Sequence, residues 1–184
     1  TAFFDNMTPA AVYFDIGQTT LSDKELQHLD FLARNLIATA EIGDEVKFGR
    51  FLQDFVSLGL DSEDFTYDEM HSKLFNNRAD EIEWYVLDRK DEKVLLLSKY
   101  VLDTKPYHKE CTEVTWEQSS MREWLNSTFY NFAFSEEEKK YIKSSKLSDV
   151  STTDNVFLLS KEEAEKYFAN DDERKCKATE YAVK

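Results

Sequence analysis

The sequence predicts an α+β fold in which a mixed or antiparallel sheet is packed by helices. Three observations lead there. Two apolar, β-prone runs at 82–87 and 94–97 flank a charged stretch at 88–93, as the arms of a hairpin flank its turn. Apolar stripes at helical spacing follow Ser-x-x-Glu capping boxes at Ser22–Glu25 and at Ser160–Glu163. Strand and helix segments do not alternate regularly, which argues against a doubly wound parallel sheet.

The elements follow in order. Residues 11–16 are apolar and β-prone and end at Gly17, so they read as a strand. Ser22 then caps a helix whose stripe is Leu26, Leu29, Ala33, Leu36 and Ile37, fading near Ala40. Val46, Lys47, Phe48 and Gly49 make a short strand. The stretch 51–60 is apolar but poorly patterned, and an acidic helix start at 60–64 leads into a short helix ending near Asn77. In the hairpin, Leu95, Leu96 and Leu97 lack polar alternation, which predicts a strand covered on both faces. Pro106 marks a loop through Glu110. A single helix is expected over 116–129, with Ser119 or Ser120 near its start and Met121, Trp124, Leu125 and Phe129 as its stripe. Ser135 opens a short acidic helix, and 144–155 reads as a polar loop. Residues 156–159 form a buried strand, and a last helix from Ser160 turns Ala164, Tyr167 and Phe168 inward. Trp84, Leu96, Trp124 and Phe157 are expected to share one interior.

Composition bounds the function. The 184 residues carry 23 basic and 37 acidic side chains, a net charge of −14. Such a surface repels phosphate backbones, which excludes ordinary nucleic-acid binding. No apolar run reaches the roughly 18 residues that cross a bilayer, so no membrane insertion is expected, and residues 1–6 do not read as a signal peptide. Four glycines, with no GxGxxG or GxxxxGK[ST], leave little room for a phosphate-cradling loop, and neither GxSxG nor HExxH occurs. Cys111 and Cys176 read as two free thiols, with one long-range disulfide the alternative.

No motif assigns a catalytic residue, a cofactor or a metal. His28, His71 and His108 lack the clustered partners a metal site needs. The acidic runs 61–64, 136–138 and 171–173 lack calcium-loop spacing and read as helix starts and solvated faces. Tyr107, His108 and Cys111 form one compact nucleophile-like group, although sequence adjacency rarely makes a Cys–His dyad. Of the three tryptophans, Trp84 and Trp124 follow core patterns, and Trp116 is the one expected at the surface, where it would stack on a sugar. The binding candidates are therefore Tyr107, His108 and Trp116.

Several motifs have a familiar order: Val46-x-Phe48-Gly49, Ile82-x-Trp84-x-Val86-Leu87, Leu95-Leu96-Leu97-Ser98, Trp124-Leu125-Asn126, Phe129, Ala133-Phe134-Ser135-x-Glu137-Glu138 and Val156-Phe157-Leu158-Leu159-Ser160. Over 42–184 they resemble a bacterial family of domains of unknown function, common in surface and secreted proteins and similar to C-type-lectin-like and sulfatase-modifying-factor-like folds. Members of that family continue with a Trp-Trp-Leu-Arg-Ser-like segment and a Val-Arg-Pro-Ala-Leu-like strand, neither of which occurs before Lys184. The resemblance thus implies an incomplete lectin-like domain, finished by a partner chain or homo-oligomer, by a cleaved continuation or by other packing. Residues 10–40, with Ala11 to Gly17 and Leu21-Ser22, resemble the first strand and helix of an OmpA-like domain. Two units are expected, 1–40 and 41–184. The function these resemblances imply is a non-enzymatic binding module of an exported or cell-surface bacterial protein, its ligand a carbohydrate, a peptide or a protein. The alternatives are an enzyme on a formylglycine-generating-like scaffold and a structural fragment completed by a second chain.

Overall fold

The computed structural model describes residues 9–15, 36–53, 79–147 and 151–183. Most of the N-terminal helix, the 54–78 segment, His28 and His71 lie outside the described residues.

Five antiparallel strands form the main sheet: β1 (Ala11–Asp15), β2 (Glu45–Phe51), β3 (Asp80–Lys90), β4 (Lys93–Ser98) and, by its place in the chain, β7 (Val156–Phe157). Their order is β2-β3-β4-β1-β7, so the first strand lies between β4 and β7. Beyond β7 it also meets the 141–143 segment, where the Asp15 N–H donates to the Tyr141 carbonyl at 2.7 Å and the Lys143 N–H to that of Tyr13 at 2.8 Å.

The β3–β4 hairpin is longer than the sequence suggests. Lys90 pairs with Lys93, so the turn is Asp91 and Glu92 alone rather than the whole charged stretch 88–93. Asp91 adopts φ +55°, a left-handed conformation that Asp tolerates and that substitutes for the usual Asn-Gly signal. A bulge between Val86 and Asp88 restores the alternation, turning Asp88 to the face of Leu95 and Arg89 to the face of Val94.

Strand β4 is covered on both faces, as its unbroken apolar run implies. Val94 and Leu96 join one cluster with Val12, Phe14, Ile82, Trp84, Val86 and Val156. Leu95 and Leu97 join a second with Ala11 and Phe157. The four residues expected to share one interior are therefore divided. Trp84 and Leu96 lie in the larger cluster with Trp124 packed against it, while Phe157 lies across the sheet. Period-two alternation requires this, because Val156 and Phe157 are neighbours on one strand and cannot face the same way. A similar rule divides Leu36 from Ile37: Ile37 is buried and Leu36 is exposed, since adjacent helical residues point about 100° apart.

The larger cluster is aromatic. Phe14 meets Phe48 edge-on at 5.2 Å between ring centres, Phe48 meets Phe134 at 5.2 Å and Phe51 meets Phe129 at 5.1 Å. The fully buried Trp84 donates its indole N–H to the Phe48 carbonyl at 2.6 Å, inside a β2 bulge between Lys47 and Arg50. Gly49 sits in that bulge at φ +70°, and a Cβ there would lie 2.6 Å from the Phe134 ring.

The helix expected over 116–129 is broken into pieces. A 3₁₀ turn (Trp116–Gln118) precedes α1 (Ser120–Trp124), a π turn (Leu125–Phe129) and α2 (Tyr130–Ala133). Ser119 has extended backbone and its hydroxyl accepts the Arg122 N–H at 3.1 Å, so the helix proper starts after it. At the π turn the Asn126 amide donates to the carbonyls of Arg122 and Val156 and accepts from the N–H of Asn155. The wider turn thus accompanies an attachment to β7. Helices α3 (Glu136–Lys139) and α4 (Lys161–Tyr167) begin with complete capping boxes, at Ser135/Glu138 and Ser160/Glu163.

The segment expected to be a polar loop holds a small two-stranded sheet, β5 (Ser145–Lys146) with β6 (Thr153–Asp154). It alternates inward Ser145 and Asp154 with outward Lys146 and Thr153. The strand expected over 156–159 is only two residues long, because Ser160 already serves as the cap of α4. Of the acidic runs, 136–138 is the first turn of α3, whereas 171–173 lies in a turn rather than a helix start.

Candidate functional site

The smaller face of the sheet carries a cleft of about 390 Å³ between the hairpin and α4. The strand register places its residues in two rows. Tyr13, Leu95 and Asp88 are opposite one another across β1, β4 and β3. One step outward, Lys93 and Lys90 are opposite each other at the hairpin's end. Helix α4 supplies Glu163, Lys166 and Tyr167.

The polar groups are tied together. The Tyr167 hydroxyl donates to Asp88 Oδ2 at 2.6 Å, and Lys166 Nζ donates to the same oxygen at 3.1 Å and to the Tyr167 hydroxyl at 2.8 Å. The hydrogen bond from Tyr167, with help from Lys166, holds the Asp88 carboxyl below the usual carboxylate range. Burial and then Asp88 push the Tyr167 hydroxyl up, and Lys166 is pushed up by its bonds to Tyr167 and Asp88. At neutral pH the trio is an ammonium, a neutral phenol and a carboxylate.

Tyr13 is half-buried. Its ring stacks on Phe157 at 5.5 Å, and Lys93 Nζ lies 5.5 Å from the ring centre. Its hydroxyl has no hydrogen-bond partner among the described residues and is raised by burial, then by Glu163 and Asp88. The cleft therefore offers a free hydroxyl and two exposed or half-buried lysines above an apolar floor at Leu95.

The residues singled out from sequence lie elsewhere. Tyr107, His108 and Trp116 do come together, in a loop strapped to the start of α1. The Tyr107 carbonyl accepts the Met121 N–H at 3.0 Å, His108 Nδ1 accepts the Ser120 N–H at 3.2 Å, and the Tyr107 and Trp116 rings are 6.4 Å apart. Trp116 is half-buried rather than exposed, and its indole donates to Asp154 Oδ2 at 2.7 Å. Arg122 Nε donates to the other oxygen of that carboxylate, also at 2.7 Å. Asp154 is buried, so these three residues fasten the β5–β6 sheet to α1. Cys111 is exposed and Cys176 half-buried, both as free thiols, and burial pushes the Cys176 thiol up. Among the described residues no group of His, Cys, Asp and Glu is arranged to hold a metal, and no helix is long and apolar enough to cross a membrane.

Sequence reading missed the cleft because it assigned Asp88, Lys90 and Lys93 to a turn and Tyr167 to the core. The available signal was spacing: once the hairpin's turn is two residues long, Asp88 and Lys90 share a face with Lys93 and Leu95.

With this geometry in hand, the family described as "Domain of unknown function (DUF6273)" matches residues 91–184, just over half the chain. The chain belongs to that family. The DUF6273 segment begins in the hairpin's turn and contains Lys93, Glu163, Lys166 and Tyr167, whereas Tyr13, Asp88 and Lys90 precede it. Neither the curated proteins nor the solved structures give a match to this chain.

Proposed function

We propose that this DUF6273 protein is a non-enzymatic binding module whose ligand enters the cleft between the hairpin and α4. The observation that carries this reading is the preorganised Asp88–Tyr167–Lys166 trio lining one cleft with the Tyr13 hydroxyl, which has no partner among the described residues, and with Leu95 as an apolar floor. Small-molecule sites are usually concave and apolar, with a few placed polar groups, and span about 300–1,000 Å³. All four named side chains are on α4 or on strands paired on both sides, so a ligand meets a site whose ordering cost is already met. The resemblance to C-type-lectin-like domains supports the same class of role and favours an exported or cell-surface bacterial protein. The ligand classes are a carbohydrate, a peptide or a protein surface.

The test is amide-shift mapping on the ¹⁵N-labelled protein with hits from glycan and peptide arrays. The expected result is that hits move the amides of Tyr13, Asp88 and Tyr167 and that Asp88→Ala weakens them. Ligands that bind elsewhere and leave these amides still would overturn the assignment.

A further inference from the structure

Two lysines stand directly opposite each other at the mouth of the cleft. Lys90 and Lys93 are cross-strand partners on one sheet face, and like charges so placed repel. Among the described residues neither forms an ion pair. The nearest acid in the same row, Asp15 opposite Lys93, is paired with Lys143 at 3.3 Å. In a chain of net charge −14, unpaired ammoniums gathered at one concavity are the group an anion would relieve.

The rear of the cleft sets a limit on that anion. Asp88 and Glu163, together with Asp91 beside the two lysines, line the cleft and would repel a second negative charge. They accept hydrogen bonds, however, and a carboxylate has about four acceptor positions; at Asp88 the Tyr167 hydroxyl, Lys166 and the Arg89 N–H take three and leave about one for a ligand hydroxyl. The Tyr13 hydroxyl, without a partner among the described residues, can donate or accept. Both suit hydroxyl groups on the body of a ligand, and Leu95 supplies an apolar surface for its carbon skeleton.

Resting on the reading above, we propose that the cleft binds a sugar acid of monosaccharide size, with its single carboxylate between Lys90 and Lys93 and its hydroxyls against Tyr13 and Asp88. The lysines supply charge-assisted hydrogen bonds, and the mid-row groups fix the orientation.

The experiment titrates the full chain with galacturonate and glucuronate, with galactose and glucose, and with acetyl-dialanine as a peptide carboxylate, followed by amide shifts. The uronates are expected to bind at the cleft at least about tenfold more tightly than the neutral sugars, a loss of one charge-assisted contact being about tenfold. Added salt is expected to weaken that preference. The Lys90→Ala/Lys93→Ala variant should bring uronate affinity down to that of the neutral sugars, with a melting temperature unchanged or raised because the repulsion is gone. Equal affinity for neutral sugars at the cleft would overturn the anion's role while leaving the cleft as the site. Binding of the dipeptide there in preference to the uronates would overturn the sugar assignment alone. No binding by any of these probes overturns the inference, and a ligand mapped to another surface would remove both it and the reading it rests on.

Discussion

Removing the Asp154 carboxylate tests how the β5–β6 sheet is held. It accepts from Arg122 Nε and Trp116 Nε1 at 2.7 Å each, and its side chain is fully buried. Hydrogen bonds to a charged group are worth about 1.5–3 kcal/mol each, so two of them set an upper range of about 3–6 kcal/mol. Arg122 is 24% exposed and can turn its guanidinium toward water, which recovers part of that. We expect Asp154→Ala to lose about 3 kcal/mol, with the indole N–H left the main orphan. Arg122→Met should cost as much or more, since a buried carboxylate is then left with the indole as its remaining side-chain donor, and breaking a buried pair costs about 3–5 kcal/mol. The double variant should lose less than the sum of the two, because both changes remove one interaction. Urea unfolding of all four proteins by circular dichroism, with slopes compared, measures each term. Single losses within about 0.5 kcal/mol of wild type, the range of ordinary surface changes, or strict additivity would refute the reasoning.

Gly49→Ala adds a Cβ against Phe134 and the Ala133 carbonyl and forces a side chain into φ +70°; a loss of more than about 2 kcal/mol is expected in the same unfolding measurement, from strain of about 1–2 kcal/mol plus the clash. The thiols should react with a disulfide reagent in two phases, exposed Cys111 first and half-buried Cys176 later, and a single fast phase of two equivalents would contradict the burial. Tyr13, Tyr130 and Tyr167 are raised above the ordinary tyrosine value, chiefly by burial. A raised folded value for an acid that is neutral at pH 7 contributes stability below the unfolded value, near pH 10, and loses it as pH climbs through the folded values. Stability should therefore fall above about pH 10, with phenolate absorbance at 295 nm rising late and together with unfolding; nine tyrosines titrating as one unperturbed set would argue against it.

What was legible in the sequence followed from local rules. The apolar run at 94–97 announced a strand covered on both faces, and the Ser135 and Ser160 caps placed two helix starts to the residue. Long-range choices were not legible. Ser119 and Ser120 both read as lying near a helix start, but nothing local shows that Ser119 is the cap and that residues 116–118 form a separate turn, and Asn126 reads as an ordinary helical residue until β7 is beside it. Asp154 looked like loop because the partners that draw it inward, Trp116 and Arg122, are more than thirty residues away. The cleft was hidden for the same reason: its walls come from β1, the hairpin and α4, and only the register of the strands puts Tyr13 in the same row as Asp88. The candidates chosen by adjacency, Tyr107 and His108, sit at the start of α1, where the Tyr107 carbonyl and His108 Nδ1 accept the Met121 and Ser120 N–H groups.

The position of β1 has a consequence for how the chain reaches its native state. This strand emerges before both neighbours it needs, which are made some eighty and some hundred and forty-five residues later. Ala11 to Asp15 must wait as an unsatisfied apolar segment, exposed to misassociation, until β4 and then β7 are available. Pairings so distant in sequence carry a large loop-closure cost and slow the search for the native topology. A chain cut to the DUF6273 segment would be released with a gap between its two sheet strands where that early segment belongs, so the unit that folds reaches back well before the family boundary.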